Sequence, residues 1–128
     1  MRKNVLIIDN DPIYRSLIQK LILKSNFSEK IFTANDGNES LNYLLKNQNN
    51  PGELPDVILL DIEMPVMNGW DFMDMYQSIK NSVAKKITVF LVSSSISPED
   101  RQKALDYEDI SGFYSKPITT EILSEIFK

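Results

Sequence analysis

Three stretches of the chain are apolar at every position: Val5 to Ile8, Val57 to Leu60 and Val89 to Val92. A strand with one wet face alternates apolar and polar residues. Unbroken apolar runs belong to strands covered on both faces, as in a parallel sheet. Two weaker candidates, Ile31 to Thr33 and Gly112 to Tyr114, suit the edges of such a sheet. Between the runs the apolar spacing becomes helical. Ile13, Leu17 and Leu21, with Ile18 and Ile22, form one stripe. Asp11 is placed to cap that helix, and Pro12 suits its first turn. Leu41, Leu44 and Leu45 mark a second helix, and Phe72, Met73, Tyr76 and Ile79 a third. Pro98 to Tyr107, capped by Ser97, predicts a fourth with few apolar anchors, and Ile118, Ile122, Leu123 and Ile126 mark the last.

Strand then helix, five times over, predicts an α/β fold: a parallel sheet with helices on both faces. There is no internal repeat and no low-complexity tract. The stretch Asn47 to Pro55, "NQNNPGELP", is turn-rich and expected to be mobile, but is too short to divide domains. Residues 1–128 therefore read as one domain. The pattern runs to one helix after the fifth strand, so a single domain without an effector domain is expected.

Composition narrows the function by exclusion. The 128 residues are 42% hydrophobic and 25% charged, ordinary values for one globular domain. The 14 basic and 18 acidic residues give a net charge of −4, which is no electrostatic footprint for nucleic acid. No apolar run approaches membrane-spanning length. The basic start, Met1-Arg2-Lys3-Asn4, leads into a run too short for a signal peptide, so a cytoplasmic location is expected. Cysteine and histidine are both absent. That removes disulfides, thiol chemistry, Ser-His-Asp and Cys-His sites, and His-ligated zinc. Carboxylates, hydroxyls, lysines and a hard metal ion remain.

In open parallel sheets, ligands bind beyond the carboxyl ends of the strands. There the first strand is followed by Asp9, Asn10 and Asp11, and the third by Asp61. The fourth is followed by Ser93, Ser94 and Ser95, and the fifth by Lys116 and Pro117. Carboxylates crowded on one rim repel one another unless their pKa values rise or a cation joins them. Oxygen ligands alone favour Mg²⁺. A carboxylate in such a place can serve as nucleophile and form an aspartyl phosphate. Asp61 fits the nucleophile, Lys116 the counter-charge and Ser93 a hydrogen-bond donor to phosphoryl oxygen.

Four motifs in this order, "LIIDND", "LLDIEMPVMNG", "VFLVSSS" and "GFYSKP", resemble the receiver domains of two-component response regulators, the CheY-like family. The resemblance covers essentially the whole chain. It implies a flavodoxin-like (βα)5 three-layer sandwich with strand order 2-1-3-4-5. It also implies phosphorylation of Asp61 by a partner histidine kinase or histidine phosphotransfer protein, since this chain has no histidine of its own. Asp9, Asn10, Asp61 and the backbone carbonyl of Glu63 would hold Mg²⁺, or Mn²⁺ in its place. Lys116 would reach the phosphoryl group, with Pro117 cis. Ser93 would swing toward the phosphoryl oxygens, with Phe113 as the coupled aromatic switch. Output would pass to a downstream protein through the face of the fourth helix, fifth strand and fifth helix. The module would be regulatory rather than an enzyme, although it assists its own phosphorylation and dephosphorylation.

Several residues carry a plainer reading beside this one. Asp9 alone could be a solvated strand end, Ser93 a loop hydrogen-bonder and Phe113 a core residue. Pro65 and Asn68-Gly69 make turns before a helix. Trp70 reads equally as core or as a partner anchor, and Lys85-Lys86 as a solvated loop. Asn10 departs from the family pattern, where an acid is usual, and removes one unit of charge from the metal site. That is the only support for a pseudo-receiver acting as a constitutive protein-binding module. "IIDND" also reads as the opening of a haloacid-dehalogenase-like phosphatase, with Asp9 as nucleophile and Asp11 as acid/base. Against that stand the short chain, Ile13 two residues beyond Asp11, and the lack of a late acidic pair.

Overall fold

The computed structural model describes residues 3–128, so the Met1-Arg2 part of the basic start lies outside the described residues. The strands are β1 (Lys3–Ile8), β2 (Ser28–Ala34), β3 (Val57–Asp61), β4 (Thr88–Ser93) and β5 (Ile110–Ser115). The helices are α1 (Pro12–Ser25), α2 (Gly37–Lys46), α3 (Gly69–Ile79), α4 (Pro98–Ala104) and α5 (Thr120–Ile126). All strand pairs are parallel, in the order β2-β1-β3-β4-β5. The two weak strand candidates occupy the edges, as their composition predicted.

The unbroken apolar runs have a direct cause. Successive side chains of a strand point to opposite faces. Val5 and Ile7 of β1, with Val57 and Leu59 of β3, pack against Ile18 and Ile22 of α1 and Leu123 and Ile126 of α5. Leu6 and Ile8, with Ile58 and Leu60, pack with Leu41 and Leu44 of α2 and Phe72, Met73 and Tyr76 of α3. Two helical layers thus enclose the sheet, and the apolar runs of β1 and β3 have no wet face.

Four expectations need correction. The buried face of α1 runs through Tyr14, Ile18 and Ile22, whereas Ile13 and Leu17 are 80% and 50% exposed. Both sets have four-residue spacing, so periodicity alone could not orient the helix. The fourth helix stops at Ala104, its one buried residue, and Tyr107 packs against the core from outside the helix. The loop expected to be mobile is pinned. It contains a 3₁₀ turn at Pro51–Glu53, the Tyr43 hydroxyl donates to Glu53 O at 2.6 Å, and Ala84 N donates to Gln48 O at 2.7 Å. Lys85 is not merely solvated: it donates to Leu54 O at 3.1 Å and pairs with Asp56 at 3.2 Å. Trp70 resolves to the core, stacked on Tyr107 with ring centroids 5.9 Å apart.

Candidate functional site

Sheet register brings the chemistry together. Ile8 pairs with Leu60, Asp61 with Val92, and Ser93 with Ser115, so Asp9, Asp61, Ser93 and Lys116 emerge along one rim. Lys116 N donates to Ser93 O at 2.8 Å, which ties the ends of β4 and β5 to each other. The Lys116-Pro117 bond is cis.

Asp9 and Asp61 are buried, at 2% and 4% exposure, although both are acids. Asp9 Oδ1 accepts from Asp11 N at 2.8 Å, and its Oδ2 takes the Lys116 ammonium at 2.8 Å. Asp61 Oδ1 accepts from Glu63 N at 3.2 Å, and its Oδ2 lies 3.5 Å from Lys116 Nζ. Burial, then the charge of Asp9, pushes the Asp61 carboxyl up to about 6 against the opposing pull of Lys116. Burial works against the charge on Lys116, but its bond to Asp9 and the charges of Asp61 and Asp9 hold its pKa above the ordinary value.

Among the described residues no three acidic side chains converge as metal ligands. Asp11 Oδ1 caps α1, accepting from Ile13 N at 3.0 Å and Tyr14 N at 3.3 Å. Two buried carboxylates share the Lys116 ammonium, and the Arg15 guanidinium donates to the Asp9 carbonyl beside them. Asn10 follows Asp9 directly and is exposed. The Glu63 carbonyl belongs to the turn that leaves Asp61. Two carboxylates, an amide oxygen and a carbonyl fit a hard, oxygen-ligated divalent cation.

The turn after β3 is held closely. Val66 has φ 70°, and Met67 N donates to Pro65 O at 2.9 Å, which makes a γ-turn. Asn68 then opens α3 through a capping box with Asp71. Gly69 lies so close to β3 that a Cβ there would stand 2.9 Å from Asp61 O and Ile62 Cα.

Two contacts at the site escaped the sequence reading. Tyr14 presents its ring 4.2 Å from Lys116 Nζ. Its position one turn into α1, three residues after Asp11, was the available signal. The Glu63 side chain makes the other: its Oε1 accepts from Ser93 Oγ at 2.7 Å and from Ser94 Oγ at 3.2 Å. Phe113 is half-buried, packed at the edge of the core with the Arg101 guanidinium 4.4 Å above its ring.

The family model of the response regulator receiver domain matches residues 5–128. The chain belongs to that family. Among curated relatives, this receiver is 31% identical over 126 residues to protein-glutamate methylesterase/protein-glutamine glutaminase 1 of Syntrophomonas wolfei, covering 96% of the chain and 33% of the relative. It is 32% identical over 127 residues to the probable transcriptional regulator ycf29 of Pyropia yezoensis, covering 98% of the chain and 52% of the relative. The receiver thus spans about half of that regulator, a third of the methylesterase, and 7% of the hybrid signal transduction histidine kinase I of Dictyostelium discoideum. Among solved structures it is similar to a two-component response regulator from Cytophaga hutchinsonii, with a TM-score of 0.85, 32% identity and coverage of 99% and 96% of the two chains. It is also similar to chemotaxis protein CheY4 of Vibrio cholerae, with a TM-score of 0.78, 25% identity and coverage of 98% and 96%. The fold is therefore the CheY-like flavodoxin fold, and the domain is a regulatory receiver of two-component signalling. No helix of the described residues is long and apolar enough to cross a membrane.

Proposed function

We propose that this receiver accepts a phosphoryl group on Asp61 from the phosphohistidine of a histidine kinase or histidine phosphotransfer protein. The observation that carries the reading is Asp61 itself: a buried carboxylate at a strand end, beside a second acid, with a lysine in reach. In the transfer, an Asp61 carboxylate oxygen forms a bond to phosphorus as the phosphorus–nitrogen bond of the donor breaks. The donor imidazole leaves with the electron pair and takes up a proton. A pKa of about 6 leaves Asp61 mostly ionised at neutral pH and available as nucleophile.

Asp9, Asn10, Asp61 and the Glu63 carbonyl are the groups suited to hold Mg²⁺, which when bound would supply positive charge to the phosphoryl oxygens. The ammonium of Lys116 neutralises charge on the same oxygens. Ser93 is the hydroxyl that would donate to them, and Phe113, on the adjacent strand β5 opposite Leu91, is the residue through which the change would reach the face of α4, β5 and α5. A downstream protein reading that face is the proposed output, by a shift between two pre-existing conformers.

Incubation with Mg²⁺ and a small acyl phosphate, followed by intact mass and peptide mapping, tests the reading. One added phosphoryl group, absent from Asp61→Ala, is the expected result. A label on Asp9 instead would restore the phosphatase reading. No label on wild type or on Asn10→Asp would leave a constitutive binding module.

A further inference from the structure

The Ser93 hydroxyl has one proton to donate. In this structure Ser93 is fully buried and its Oγ lies 2.7 Å from Glu63 Oε1, with Ser95 O farther off at 3.1 Å. Glu63 is an exposed residue on the turn after β3, and it reaches across to the end of β4 to accept from Ser93 and Ser94 together. An anion bearing oxygen acceptors already occupies the position from which Ser93 would otherwise be free to turn. The ligand proposed for the same hydroxyl, a phosphoryl group on Asp61, is also an anion bearing oxygen acceptors.

We infer that the Glu63 carboxylate is a built-in competitor for the Ser93 hydroxyl, a positioning residue that holds the unphosphorylated conformer and raises the threshold for switching. The inference rests on the phosphoacceptor reading of Asp61 and adds a regulatory element to it. A hydrogen bond to an ionised acceptor is stronger than one between neutral groups. Phosphorylation must break this bond before Ser93 can donate to the phosphoryl oxygens. Part of the free energy of phosphoryl binding is therefore spent on releasing Glu63, and the resting population of the switched conformer is lowered by the same factor. Ser94 shares the acceptor, so the β4–α4 connection is held along with Ser93.

A double-mutant cycle tests this with beryllium fluoride as the phosphoryl mimic. Binding at saturating Mg²⁺ is followed by ¹⁹F NMR in wild type, Glu63→Ala, Ser93→Ala and the double variant. Glu63 is exposed, so release of its hydrogen bond lies at the lower end of the range for charged acceptors, and Glu63→Ala should bind the mimic about tenfold more tightly. That gain should vanish when Ser93 is also alanine. Glu63→Gln, which keeps an acceptor but loses the charge, should fall between. A gain of equal size in both Ser93 backgrounds would reduce Glu63 to general repulsion of anions and overturn the inference. So would weaker or unchanged binding in Glu63→Ala. Wild type that takes up no mimic, and does not differ from Asp61→Asn, would overturn the phosphoacceptor reading and this inference together. Binding without coupling would overturn the inference alone.

Discussion

The Lys116 ammonium stands 3.5 Å from Asp61 Oδ2, farther than the 2.8 Å that separates it from Asp9 Oδ2. Lysine is thus committed first to the neighbouring acid, and Asp61 keeps a charge that its own surroundings do not balance. Burial, together with that shortage, raises the Asp61 pKa and makes its ionisation sensitive to pH.

The pH response has a definite sign. The Asp61 carboxyl is raised from 3.8 to about 6, so the folded protein prefers its protonated form. Below pH 3.8 both folded and unfolded chains are protonated there, and Asp61 costs nothing. As pH rises to about 6, the unfolded chain ionises first and stability falls, by on the order of 3 kcal/mol, then levels. Urea denaturation in a chelating buffer from pH 4 to 7 should show this fall in wild type and a much smaller one in Asp61→Asn. Mg²⁺ should restore stability above pH 6 and have little effect near pH 4, where the carboxyl is protonated.

Asn10 leaves the proposed metal site one charge short. Asn10→Asp should bind Mg²⁺ about tenfold more tightly by calorimetric titration, and should lower stability in chelator by adding a third charge beside two buried acids. Equal Mg²⁺ affinities would show that Asn10 is not a ligand.

Tyr14 places its ring 4.2 Å from the Lys116 ammonium. A cation over an aromatic face is held by the ring quadrupole, by about 1 kcal/mol when partly desolvated. Tyr14→Phe keeps the ring and should phosphorylate within about twofold of wild type. Tyr14→Leu should be slowed about fivefold in a timed acyl-phosphate assay. The same leucine placed in a Lys116→Met background should add no further loss, which separates positioning of the ammonium from general packing.

Gly69 is required by its neighbours rather than by its own backbone angles. An added Cβ would meet Asp61 O and Ile62 Cα at 2.9 Å, backbone atoms at the end of β3 and in the turn that leaves it, beside the proposed phosphoacceptor. Gly69→Ala should cost about 2 kcal/mol in denaturant unfolding and should also slow phosphorylation, because the turn must move. At Gly37 the nearest atom is the side-chain sulfur of Met67 at 2.7 Å, so Gly37→Ala should be milder in both measurements.

The chain's own pattern determined the sheet and its layers. Runs such as Val57 to Leu60 can be satisfied only by cover on two faces, and Asp9, Asp61 and Lys116 stand at the ends of strands that parallel pairing aligns. Strand order entered through the family resemblance, because no local pattern states which strands are neighbours. The tertiary structure decided what depends on partners distant in sequence. It chose Tyr14, Ile18 and Ile22 over Ile13 and Leu17 as the buried face of α1, since both sets share one spacing and only the position of β1 and α5 distinguishes them. It pinned the turn-rich loop through Tyr43 and Ala84, and it seated Trp70 on Tyr107. It also joined Glu63 to Ser93 across 30 residues of chain. A hydrogen bond depends on where two atoms meet in space, and sequence alone specifies that meeting only where the residues are neighbours along one element.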